Sequence, residues 1–161
     1  MIQFIKKIFK HKSAGVYFRG MGGAPYQLNL HSEDCYGYLD QKHVCTFETM
    51  HIQRNSLHIE HFAIVTDVIG HKLGQQILRA FARLVDEQNP SLGYMSFSLH
   101  RSTSATKRSQ ESLLKLAEAR KQLLEEIGAV DIEINRPNSE CYDVTAKWYK
   151  AMWLEETKDS T

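Results

Sequence analysis

The stretch LHIEHFAIVTDVIGHKLGQQILRAFARL, residues 57–84, decides the fold. Its first part, residues 57–65, has the near-continuous apolar character of a strand buried on both faces, which belongs at the centre of a sheet. Gly70 and Gly74 then mark a turn. Beyond it Leu73, Ile77, Leu78, Phe81, Leu84 and Val85 recur on one helical face until Asn89 and Pro90 stop the run. A helix start presents N–H groups without intrahelical partners and the positive end of the peptide dipoles, so a strand, turn and helix in this order suit an anion, and phosphate in particular.

Working outward, residues 16–19, 26–30, 36–40 and 44–52 are short β-prone runs separated by polar or glycine-rich turns, the pattern of an antiparallel meander. GMGGAP, residues 20–25, reads as a turn because it opens no helix. On the C-terminal side, residues 94–99 alternate, with Met95, Phe97 and Leu99 on one side and Tyr94, Ser96 and Ser98 on the other. A second long helix carries Leu113, Leu116, Ala117, Leu123, Leu124 and Ile127, and Gly128 is its natural stop. Residues 130–134 and 142–148 are expected to close the sheet as an antiparallel pair. The order predicts an α/β (α+β) chain built on one mixed, mostly antiparallel sheet flanked by helices.

With 161 residues and 42% hydrophobic content, a single domain spanning 1–161 is the expectation. Twenty basic and 19 acidic residues leave a net charge of +1, which gives no global attraction to nucleic acid. Cys35, Cys45 and Cys141 are widely spaced, with no Cys-x-x-Cys element, and fit a reducing cytoplasm. Residues 1–12, MIQFIKKIFKHK, form a basic amphipathic segment too short and too charged to span a membrane. An amphipathic segment of this kind can lie on a membrane surface, but its stripe of Ile2, Ile5, Ile8 and Phe9 more simply packs on its own domain. The tail, residues 155–161, is expected to fray. Trp148, Tyr149, Met152 and Trp153 could supply a homodimer surface or close the core.

Residues 59–78, IEHFAIVTDVIGHKLGQQIL, resemble the acetyl-CoA-binding segment of the GNAT N-acetyltransferases, in which a strand of the form Ile-Glu-x-Leu-x-Val leads into a Gln/Arg-x-x-Gly-x-Gly/Ala turn and a helix. The later LLEEIGAVDIEI is similar to that family's Leu-Tyr-Glu-x-x-Gly-Phe helix end and following strand. The resemblance implies a GNAT-like fold and transfer of acetyl from acetyl-CoA, as co-substrate, to an amine acceptor by direct attack. The alternative is a non-catalytic GNAT-like interaction domain with little or no CoA binding. Ile69 and Lys72 depart from the family's turn, Leu124 stands where its tyrosine is common, and Ala129 replaces its aromatic residue. No helical pattern appears between Val16 and Tyr36, where the family commonly has two helices.

On the same resemblance, backbone groups of Phe62, Ala63 and Ile64 would hold the pantetheine and polarise the thioester oxygen. Amides of Ile69, Gly70, His71, Lys72, Leu73, Gly74 and Gln75 would receive the pyrophosphate. Glu60 is the implied general base, and burial beside apolar neighbours would suit it to take a proton; its plainer reading is a sheet carboxylate paired with Lys or Arg. His58 and His61 flank it on opposite strand faces, and with His71 they form no metal-ligand set, so no metal is expected. The run HRSTSATKRS, residues 100–109, could touch the 3′-phosphate of CoA or nucleic acid, but its Ser and Thr content and lack of interleaved aromatics favour a loop and helix cap.

Overall fold

The computed structural model describes residues 14–19, 25–31, 33–39, 42–64, 73–102 and 109–153. Four strands, β1 (Ala14–Arg19), β2 (Pro25–His31), β3 (Asp34–Leu39) and β4 (Lys42–Gln53), run as an antiparallel meander into β5 (Ser56–Ile64). Helix α1 (Leu73–Gln88) crosses over to β6 (Tyr94–Ser102), which lies parallel to β5. Helix α2 (Gln110–Glu126), β7 (Val130–Asn138), β8 (Cys141–Tyr149) and the single turn α3 (Lys150–Trp153) follow. The eight strands form one sheet in the order β1-β2-β3-β4-β5-β6-β8-β7. Only the β5–β6 contact is parallel, so the sheet is mixed and mostly antiparallel, as the sequence order predicts.

Hydrophobic spacing explains which face is covered. Leu73, Ile77, Leu78, Phe81, Leu84 and Val85 form the buried side of α1, and Leu113, Ala117 and Leu124 that of α2. Both helices join Leu28, Phe47, Ile59, Phe97 and Trp148 of the sheet in one core. Phe47 stacks on Phe81 at 3.9 Å and on Phe62 at 4.7 Å between ring centroids, fastening α1 to β4 and β5. Trp148 Nε1 donates to the Ile127 carbonyl at 3.0 Å, and Trp153 Nε1 donates to the Trp148 carbonyl at 2.7 Å. These two tryptophans are therefore interior residues, while Tyr149 is exposed.

Local signals set the ends of α2. Ser109 caps its start, accepting from the Ser112 N–H at 3.1 Å. Gly128 takes φ +87° just after its end, and its N–H donates to the Glu125 carbonyl at 3.1 Å. That is the left-handed stop the sequence predicts.

One expectation is corrected. β5 is not buried on both faces: His58 is half-buried and Glu60 is exposed. Alternation from buried Leu57 and Ile59 turns His58 and Glu60 outward, and the pleat then reverses beside β4. Glu48 pairs with His61 and Met50 with Ile59, so Thr49 stands opposite Glu60. Thr49 has φ 55°, which breaks the pleat. Ile59 and Phe62, three residues apart, both enter the core, and Glu60 is turned out between them. The segments 1–12 and 155–161, and the glycine-rich residues 20–24, lie outside the described residues.

Candidate functional site in the gap between two central strands

Strands β5 and β6 keep company for only four register pairs, Ser56↔Tyr94, Leu57↔Met95, His58↔Ser96 and Ile59↔Phe97. β5 then continues to Ile64 against β4, while β6 continues to Ser102 against β8. The sheet is thus split at its centre. Peptide groups that would have bonded across it face a wedge-shaped gap.

Arg120 of α2 identifies which groups those are. Its guanidinium donates to the Phe62 carbonyl at 3.2 Å, a bond that suits a carbonyl facing away from β4. Along an antiparallel ladder the N–H and C=O of one residue point to the same side and alternate from residue to residue. Phe62 and Ile64 therefore turn their peptide groups to the gap, and Ala63 turns its own to Thr46 of β4. Of the three backbone positions the sequence suggests, Phe62 and Ile64 thus turn to the gap and Ala63 to β4.

The helices meet over the same gap. A Cβ on Gly74 would lie 3.0 and 3.1 Å from the Leu123 methyls and 3.3 Å from Ile64 Cδ1. Gln75 Nε2 donates to Glu126 at 2.8 Å. The absence of a side chain at Gly74 serves the close approach of α1 to α2 and β5. Leu73, Gly74 and Gln75 do form the first turn of α1, where N–H groups have no intrahelical acceptor. Ile69, Gly70, His71 and Lys72, and residues 103–108 of the basic run, lie outside the described residues. Leu124 is buried, as is Ala129.

The sheet face away from the helices is polar. Next to the last parallel pair, His58 Nδ1 and Ser96 Oγ share a hydrogen bond of 2.7 Å. The His51 ring lies 4.9 Å from that of His58, centroid to centroid. Burial first, and the His51 neighbour second, hold the His58 imidazole below the ordinary histidine range; the carboxylates of Glu60 and Asp143 act in the opposite sense. Asp143 accepts from Ser98 Oγ at 3.2 Å. Glu60 is exposed, without the burial expected of it, yet its charge reaches His58. His61 points to Glu48, 4.0 Å away. Among the described residues no group of three or more His, Cys, Asp or Glu is arranged to hold a metal, and no helix is long and apolar enough to cross a membrane.

Sequence reasoning missed Arg120 and the His58–Ser96 pair. Arg120 carried a signal, since it falls three residues after Ala117 and four before Leu124, on the apolar stripe of its helix. Ser96 was assigned to the correct side of its strand, but a partner 38 residues away is invisible without the register.

No protein-family model matches the sequence, and no curated protein matches it. Solved structures do. A GNAT-family protein from Desulfovibrio desulfuricans superposes with TM-score 0.50 at 9% identity, covering 78% of this chain and 69% of its own. The ribosomal-protein-S18-alanine N-acetyltransferase of Escherichia coli gives 0.48 at 12% identity, covering 72% and 67%. A chimeric spermidine N-acetyltransferase from Vibrio cholerae gives 0.48 at 9% identity, covering 96% and 76%. The strand order, the parallel central pair and the superposition on the Desulfovibrio desulfuricans structure together give the chain the GNAT-like α/β fold.

Proposed function

We propose that the chain is an N-acyltransferase that binds acetyl-CoA along β5 and passes its acetyl group to an amine by direct attack. One observation carries this reading. The central strands part after Ile59 and Phe97, exposing the peptide edge of Phe62 and Ile64 to an extended, amide-containing ligand. A pantetheine arm has the alternating donors and acceptors to pair with such an edge as a strand would. The thioester needs little further help: a backbone N–H can polarise its carbonyl, and no covalent enzyme intermediate is required. The first turn of α1, with Leu73, Gly74 and Gln75, offers the amides for the pyrophosphate, together with Ile69, Gly70, His71 and Lys72 before it. Removing a proton from the acceptor falls to a titratable side chain beside the gap.

A second reading has its own support. Arg120 already occupies the Phe62 carbonyl, and Leu123 packs against Gly74, so α2 seals part of the gap with its own side chains. A domain that keeps this closure permanently would be a non-catalytic interaction module. Titration calorimetry separates the two. Acetyl-CoA is expected to bind at micromolar to millimolar concentration, and thiol release is expected when amines are added. No heat at millimolar acetyl-CoA from folded protein would overturn the transferase reading and leave the closed domain.

A further inference from the structure

We infer that His58 is the general base of this site and that Ser96 is the residue that positions it. The inference rests on the acyltransfer reading above and concerns the proton rather than the acyl donor.

His58 is the last outward-facing residue before the strands part, since the next pair, Ile59↔Phe97, is buried and ends the parallel ladder. A ring at this point stands at the apex of the gap, on the polar face that none of the described helices covers. Its orientation is fixed on both sides, by Ser96 Oγ on β6 at 2.7 Å and by the His51 ring on β4 at 4.9 Å. Glu60, the other candidate, is exposed at the pleat reversal, and no hydrogen bond among the described residues holds its carboxylate.

In the tautomer that donates Nδ1–H to Ser96 Oγ, Nε2 keeps a free lone pair to receive a proton. In the reaction Nε2 takes one proton from the ammonium form of the acceptor. The freed nitrogen attacks the thioester carbonyl carbon, forming the C–N bond. As the C–S bond breaks, the second nitrogen proton goes to the leaving sulfur, giving amide and thiol. The proton on His58 is then released to solvent. Groups facing the ring from each packed element set its charge: His51 on β4 and burial disfavour the imidazolium, Glu60 on β5 and Asp143 on β8 favour it, and Lys147 of β8 stands opposite Ser96 in register. The ring is accordingly neutral, and able to accept, at pH 7.

The test compares two acceptors with acetyl-CoA as donor, following thiol release. Ethanolamine is protonated at pH 7 and needs a base; methoxyamine is already neutral and does not. His58→Gln, which retains hydrogen-bonding capacity toward Ser96, is expected to lose about 100-fold or more of kcat with ethanolamine and less than about threefold with methoxyamine. Glu60→Gln should lose far less with either. Ser96→Ala should lower kcat for ethanolamine several-fold with KM unchanged, and should shift the acidic limb of the pH profile. Equal losses with both amines in His58→Gln would assign His58 a structural role and overturn the inference, leaving acyltransfer intact. A wild-type protein that releases thiol with neither amine would overturn the acyltransfer reading and this assignment with it.

Discussion

His58 links folding to acidity as well as to proton transfer. Its imidazole has a lower affinity for protons in the folded chain than in the unfolded one. Above the ordinary histidine range both states are neutral and the residue adds no pH dependence. As pH falls through that range the unfolded chain takes up the proton first, so stability is lost until the folded ring is protonated too. Chemical denaturation between about pH 8 and about pH 5 should show this loss, and His58→Gln should flatten it. An unchanged slope in the variant would assign the acid sensitivity to other groups.

At the scale of elements, helix α2 behaves as both wall and stopper. Arg120 places a cation on an otherwise apolar stripe and uses it on the Phe62 carbonyl, a bond to a charged group worth about 1.5–3 kcal/mol. A ligand pairing with β5 must share or displace that bond. Arg120→Met should therefore strengthen acetyl-CoA binding by up to about tenfold in calorimetry while lowering the melting temperature slightly. Weaker binding would recast Arg120 as a ligand contact. Much of the element structure was legible in sequence. Both long helices announce themselves by 3.6-residue periodicity, and Gly128 and Ser109 by their capping chemistry. The entry of Phe62 rather than His61 into the core was not, because it accompanies a left-handed Thr49 on another strand, and nothing in IEHFAI records that neighbour. Gly74 was legible as a small residue but not for its packing, since Leu123 lies 49 positions further along the chain.

Across the whole molecule, strand order emerges from connections rather than from composition. The short connections between β1 and β5 lead neighbours to pair antiparallel, and the α1 crossover is long enough to return β6 parallel to β5. Those rules made the meander and the mixed sheet readable before any coordinates. The parting of β5 and β6 has no such local sign, as it depends on how far each strand continues with its other partner. It also has a measurable dynamic side. In most sheets the central strands exchange their amide hydrogens slowest, because they are paired on both sides. Here the amides of Phe62 and Ile64 lie mid-sheet without a strand opposite them, and they should exchange with deuterium much faster than Ala63, which bonds to β4. Saturating acetyl-CoA should slow the outer two and leave Ala63 unchanged, so a three-residue alternation in exchange rates would map the ligand's path peptide by peptide.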